Sequence, residues 1–311
     1  MPEKSACNSS PRIVFVNYAD DQYKFQQRFA LMAARKFGGF SEVIPYSPAG
    51  IDDSFRKENS RLLSIPRGNG LWIWKPYVIL DALEKVSEGD YVFYCDSGAF
   101  VFGSIMPLIE SMGDCDIWVS STENVEEQWT KPQVFTWLGI TDAVIKSSQQ
   151  IQASFICARK SEMSCSFVRE WLRLCTVPEL ITPLQPGEQR GECIEHREDQ
   201  SLLSLLCKLR GIKPHKPPVL ARLNLRARVR NKIRKKLGLP VKWQEAKHVP
   251  FVSDDTYKPC IYHHRIRKAD SILSMIWQTV KGLRMNVAAK ALSLITAGTR
   301  DIIAPEISQE R

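Results

Sequence analysis

The chain has 311 residues, and none of its uncharged apolar runs is long enough to cross a bilayer. Met1 to Pro11 is polar and lacks the apolar stretch of a signal peptide. Both absences lead us to expect a cytosolic protein. The nine cysteines include no CxxC pair, which removes the usual spacing of a zinc ribbon or a dithiol redox site. Cys95, Cys157 and Cys175 lie in apolar runs and read as buried free thiols. The turn from Asn17 to Asp21 has no glycine, and GxxxxGK[ST] occurs nowhere. A dinucleotide fingerprint and a P-loop are thereby excluded, since both need backbone close to phosphate. Acid is missing from one region: Lys208 to Lys242 holds thirteen Lys and Arg without a single Asp or Glu, in a chain of net charge +9. Such a block implies an anionic partner, whether a membrane, a nucleic acid or a phosphorylated substrate. No zinc-finger, RRM or KH signature accompanies it, so nucleic acid is not expected.

What is present reads as an α/β protein, 44% hydrophobic and 25% charged. Strands are expected at Arg12–Tyr18, Glu42–Tyr46, Tyr91–Cys95, Asp116–Ser120 and Ala153–Ala158. Helical spacing follows the first strand through Phe25, Phe29, Met32 and Ala33, and recurs at Ile79, Ala82, Leu83 and Val86. It appears again after Ser161 and from Glu198 to Leu209. Strands alternating with helices predict a mixed, mainly parallel sheet flanked by helices. Pro178–Gly191 reads as a loop, long enough for a lid or an acceptor-binding segment. Composition shifts near Lys213–Pro214, so residues 1–212 are expected to form the core and 213–311 a basic helical appendage.

The most informative stretch runs from Arg67 to Gly98. A Gly-rich turn leads into Trp72, Trp74, Lys75 and Pro76, then a helix, then an apolar strand ending on Asp96. Ligand chemistry in open α/β sheets gathers beyond the carboxyl ends of the strands. This stretch resembles a bacterial group of GT-A-fold, nucleotide-sugar-dependent glycosyltransferases. That group carries RGxGxWxWKP and, roughly twenty residues later, a strand ending in a DxD-like motif. Phe15–Asp21, Gln128–Lys131, the strand beginning Gln152–Ser154, and His196–Gln200 agree with it. One departure stands out: Gly98 takes the place of a second carboxylate.

The resemblance implies a donor, expected to be a UDP-sugar, whose departing diphosphate must be stabilised. Asp96 then suits a divalent metal, Mn²⁺ or Mg²⁺, and His263 or His264 is the candidate to replace the missing carboxylate, an imidazole favouring Mn²⁺. Gly98 can equally be read as room for the diphosphate or sugar. Arg67 and Lys75 can reach phosphate, or be solvated cations. Trp72 and Trp74, two apart on an extended segment, could wall the donor pocket or pack in the core. Asp20 is placed to meet the ribose or base, or is an ordinary turn aspartate. Asp199 and Glu198 could bind the acceptor hydroxyl or serve as its base; acids in a first helical turn are also explained by the helix dipole.

Beyond the core, Leu225, Val229, Ile233 and Leu237 recur every four residues among basic side chains. A second stripe runs through Ile272, Leu273, Ile276, Trp277, Val280, Leu283 and Val287. Both resemble in-plane membrane helices, or a helical subdomain with basic outer faces. The expectation is a glycosyltransferase at the inner face of the membrane, acting on a saccharide or lipid-linked acceptor in surface polysaccharide assembly. The alternative is a non-catalytic sugar-nucleotide or polyanion-binding protein that keeps the fold.

Overall fold

In β1 (Ile13–Tyr18) all six residues are buried, as a strand covered on both faces must be. Val14, Val16 and Tyr18 enter one apolar cluster and Ile13 and Phe15 another, the period of two separating the faces. The computed structural model describes residues 10–221, 233–239, 246–250, 253–264, 266 and 269–283. Around β1 stand β2 (Glu42–Tyr46) and β3 (Tyr91–Cys95), both parallel to it. β4 (Ala99–Val101) leaves this sheet, and β5 (Ile117–Val125) and β6 (Gln149–Arg159) complete it in the order β2-β1-β3-β6-β5. β6 is antiparallel to both of its neighbours. Short helical turns at Glu126–Trp129, Pro132–Trp137 and Ala143–Ser147 return the chain to the edge where β5 ended, so β6 runs back along its partner.

Four longer helices cover the sheet. α1 (Lys24–Ala33) sets Leu31 against the face holding Phe15, Phe93 and Phe155. α2 (Trp74–Lys85), α3 (Glu162–Cys175) and α4 (Glu198–Leu209) pack on the other face with Ile79, Leu83, Val168, Trp171, Leu202 and Leu206. Each such side chain, fully buried, contributes about 1.5–3 kcal/mol. Ser161 caps α3 through a reciprocal pair of bonds with Ser164. The loop expected over Pro178–Gly191 opens with a helical turn, Pro178–Ile181.

The C-terminal region is woven back into this core. β7 (Val219–Ala221) and β8 (Ile261–His263) join β4 in a second sheet, with β8 in the middle. Of the first basic stripe, Leu225 and Val229 lie outside the described residues, and Ile233 opens a helical turn at 233–236 that Leu237 follows. The second forms helix 272–283. Met275, Thr279 and Gly282 are buried in it, whereas Leu273 is 77% and Trp277 62% exposed, with Ile276, Val280 and Leu283 beside them; Val287 lies outside the described residues. Among the described residues, no helix is long and apolar enough to cross a membrane. Of the eight described cysteines, seven are buried and Cys115 is exposed.

Candidate active site

The segment expected to be extended around Trp72 is instead a left-handed turn. Five consecutive residues have positive φ: Gly68 (62°), Asn69 (52°), Gly70 (94°), Leu71 (55°) and Trp72 (61°). Leu71 N donates to Arg67 O at 2.8 Å and Trp72 N to Gly68 O at 3.3 Å, the four-residue spacing of a helical turn. Gly70 is required here, because a Cβ would meet Leu63 Cα at 2.8 Å. Leu71 and Trp72 have no such licence; left-handed backbone costs about 1–2 kcal/mol for each. Tertiary contacts offset that cost. Leu71 is buried in the core, Gly70 N donates to Ile65 O at 2.8 Å, and Trp74 Nε1 donates to Gly68 O at 2.9 Å. Trp74 also stacks on Tyr18, ring centroids 3.7 Å apart. The two tryptophans therefore share the cavity wall because of a tight turn, since Trp74 already belongs to α2.

A cation stands on each side of this turn, and each meets one of two consecutive acids at the head of α4. Arg67 Nε lies 2.6 Å from Glu198 Oε1 and its Nη2 3.2 Å from Glu195. Lys75 Nζ lies 3.0 Å from Asp199 Oδ2 and 3.2 Å from Asp96 Oδ1, and donates to Ala153 O at 3.1 Å. Lys75 is 3% exposed. Burial acts to lower its pKa, but the charges of Asp199 and Asp96 outweigh that and raise it. Burial pushes the Asp199 carboxyl up to about 6 and that of Glu198 up to about 7. Glu198 is itself left-handed, with φ 38°. Lys75 is enclosed by these acids, whereas the Arg67 side chain keeps 42% of its surface exposed. Arg67, Lys75, Glu198 and Asp199 are not among the residues that line the cavity. The neighbour that does line the cavity is Gln200.

The cavity, about 820 Å³, follows the edge of the sheet where β1 and β3 end and β6 begins. Tyr18, Asp20, Asn69, Trp72 and Trp74 line one half. Thr122, Asn124, Gln152, Ser154, Trp129, Arg197 and Gln200 line the other. Asp96, Ser97 and Gly98 form the floor between them. Three bonds pin that floor: Asp96 N donates to Ser154 O at 2.8 Å, Ala99 N to Asp96 O at 3.0 Å, and Ser97 Oγ to Tyr18 O at 2.7 Å. Tyr94 OH donates to Asp96 Oδ1 at 2.6 Å, the same oxygen that faces Lys75. Oδ2 is thus the carboxylate oxygen left for a ligand. Gly98 has no positive φ, and a Cβ there would meet only His263 Nε2, at 3.9 Å. Neither the backbone nor close packing requires glycine at this point.

Asp20 serves the fold visibly: its Oδ1 accepts from the amides of Gln22 and Tyr23, at 3.0 and 3.2 Å, while the residue also lines the cavity. Of the two histidines, His263 lines the cavity. His264 is fully buried, and its Nδ1 accepts from Ile266 N at 2.9 Å, so the cavity-facing ligand position belongs to its neighbour. Among the described residues, no group of three His, Cys, Asp or Glu side chains is arranged to hold a metal. Asp96 and His263, which both line the cavity, are of the residue types that could ligate a divalent cation.

Several wall residues went unassigned in the sequence. Tyr18 and Tyr94 alternate with their strand neighbours and had a period-two signal to offer, as did Gln152 and Ser154. Arg197, whose guanidinium lies 4.3 Å from the ring centroid of Trp129, sits beside the acids that drew attention instead. Ala246 and His248 reach the wall through a bridge from His248 to Asn124 and a bond from Lys247 N to Gln128 Oε1. No local pattern marks them.

These features define a mixed α/β protein with a ligand cavity at the carboxyl edge of its sheet. No family model matches the chain, and no curated protein matches it in sequence. Similar solved structures include mouse xyloside xylosyltransferase 1 in its apo form, at 11% identity and TM-score 0.45, covering 81% of this chain and 97% of that one. An active-site mutant of LgtC aligns at 15% identity and TM-score 0.43 over 86% of this chain and 95% of that one. The bifunctional glycosyltransferase WbbM aligns at 11% and 0.43 over 82% of this chain and 46% of that one. Scores this low assign neither activity nor residue roles here.

Proposed function

We propose that the chain is a GT-A-type glycosyltransferase that moves a sugar from a UDP-sugar to a saccharide or lipid-linked acceptor in surface polysaccharide assembly. The observation that carries this reading is the floor of the cavity, Asp96-Ser97-Gly98. A strand-end carboxylate is held through one oxygen by Tyr94 and Lys75, beside a glycine the fold does not demand. Half-buried Trp72, beside the stacked Tyr18 and Trp74, offers an aromatic surface to a base, and the half lined by Thr122, Gln152, Arg197 and Gln200 offers polar groups to an acceptor. Asp96 and His263 would hold Mn²⁺ or Mg²⁺, which when bound neutralises charge developing on the leaving diphosphate. Calorimetric titration with a panel of nucleotide sugars, with and without Mn²⁺, followed by a transfer assay, tests the proposal. A UDP-sugar that binds and is consumed supports it. Tight binding without turnover would instead favour the non-catalytic sugar-nucleotide protein.

Attachment to an anionic membrane surface is part of the same reading. Its support is the outward stripe Leu273, Ile276, Trp277 and Val280, Lys281 lying 4.8 Å from the Trp277 ring centroid, and the acid-free block before it. Apolar insertion and cationic attraction act together in such elements. Co-sedimentation should show binding to anionic but not neutral vesicles, weakened by salt. Equal binding to neutral vesicles would overturn this part.

A further inference from the structure

Two cations bracket the left-handed turn, and two consecutive acids receive them. This arrangement suggests a division of labour. Lys75 faces both Asp199 and the floor carboxylate Asp96, so its rung belongs to the floor. Arg67 is not itself among the residues that line the cavity. Its Nε and Nη2 engage Glu198 and Glu195, and its guanidinium lies 5.7 Å from the centroid of the Trp72 ring. Arg67 itself has ordinary extended backbone, φ −60° and ψ 121°, and the left-handed run starts at the next residue. On the far side Glu198, 2% exposed, is held at φ 38° without being glycine. Strain thus sits on both sides of a single short ion pair, and residues held in such conformations persist only where their surroundings over-determine them.

We propose that Arg67 and Glu198 are a positioning pair, whose contact fastens the turn Gly68–Trp72 to the head of α4 and so sets the wall of the nucleotide half of the cavity. This rests on reading that half as a nucleotide site. The pair acts through Gly68, Asn69 and Trp72, which line the cavity. Without the rung, Lys75 is the remaining ion-pair tie between this segment and the head of α4, and the left-handed residues gain room to relax away from the ligand.

The rival is direct contact between Arg67 and phosphate, and a double-mutant cycle separates the two. UDP affinity is measured by calorimetry for the wild type, Arg67→Met, Glu198→Leu and the double variant, with Glu198→Gln in reserve should the leucine variant fold poorly. Each single change should weaken UDP by about tenfold or more, in keeping with loss of a charged hydrogen bond. The double variant should be no weaker than the worse single one, because both remove the same contact. Arg67→Lys should recover part of the loss. In transfer assays the donor KM should rise while the acceptor KM stays unchanged. If Arg67→Met weakens UDP while Glu198→Leu leaves it unchanged or tightens it, Arg67 is a phosphate ligand and the proposal falls. Hydrogen exchange at the amides of residues 68–73 is followed in parallel without ligand and should quicken alike in both single variants. Should the wild type bind no UDP, the nucleotide reading fails, and exchange still judges the pair: unchanged exchange in the variants overturns it.

Discussion

The floor of the cavity and its clamped rim use similar residues to opposite ends. At the floor, Asp96 turns one oxygen toward Tyr94 and Lys75 and keeps the other for a ligand, beside an open Gly98. At the rim, Arg67, Lys75, Glu198 and Asp199 satisfy one another. Charge in a motif is therefore no guide to charge at the substrate. Four chemically attractive residues pair with one another, and the cavity is lined mostly by neutral and aromatic groups. A buried ion pair seldom adds net stability over an apolar equivalent, yet losing one partner is expensive, and that asymmetry gives the comparison measurable edges.

The largest effect should come from Lys75→Met, which leaves Asp199 buried without its cation. Urea unfolding should show a loss of about 3–5 kcal/mol; a loss below about 1 kcal/mol would return Lys75 to the ligand. At the floor, Asp96→Asn should fold normally by circular dichroism yet lower transfer by about a hundredfold or more, equivalent to about 3 kcal/mol. Turnover like that of the wild type would empty the floor of its proposed role. His263→Ala should then raise the Mn²⁺ concentration needed for activity, whereas an unchanged metal titration would remove His263 from the site.

The rim also predicts a pH dependence. Burial raises the carboxyls of Glu198 and Asp199 to about 7 and about 6, from ordinary values of 4.5 and 3.8. Groups raised in the folded state contribute stability that is fully present below their unfolded values and lost as pH climbs through the folded ones. Unfolding free energy should accordingly fall between about pH 4 and about pH 8, and Glu198→Gln should flatten part of that fall. A slope identical to that of the wild type would contradict the burial argument. The smallest effect belongs to Gly98→Ala, expected to change stability by less than about 0.5 kcal/mol while still reducing transfer. A large destabilisation would mean that the fold, and not the ligand, needs this glycine.

Much of the frame was legible beforehand because it is local. Glu42–Tyr46, Tyr91–Cys95 and Glu198–Leu209 fall where periodicity placed them, and Asp96 ends its strand as expected. The direction of β6 was hidden, since a buried strand carries the same apolar pattern either way. Two glycines announced positive φ in the turn, but nothing in Leu71 or Trp72 announced that they would follow. Pairing was least visible of all. Whether Arg67 meets phosphate or Glu198 depends on two segments converging in space, and no spacing within either one encodes it. His263 and His264, adjacent in sequence, were separated only by the strand that sends one to the cavity and the other to the interior.

The place of β8 bears on how the molecule is made. It lies between β4 and β7, with Val101 paired to Ile261 and Ala99 to His263. During synthesis the main sheet can assemble as soon as β6 has emerged, whereas β4 waits with an open edge until residues 261–263 arrive. Closing so long a loop slows assembly, and an unpaired edge invites the wrong neighbour. A nascent chain halted before β8 would thus lack His263 and Ile266 from the cavity lining and be vulnerable to association through Ala99–Val101.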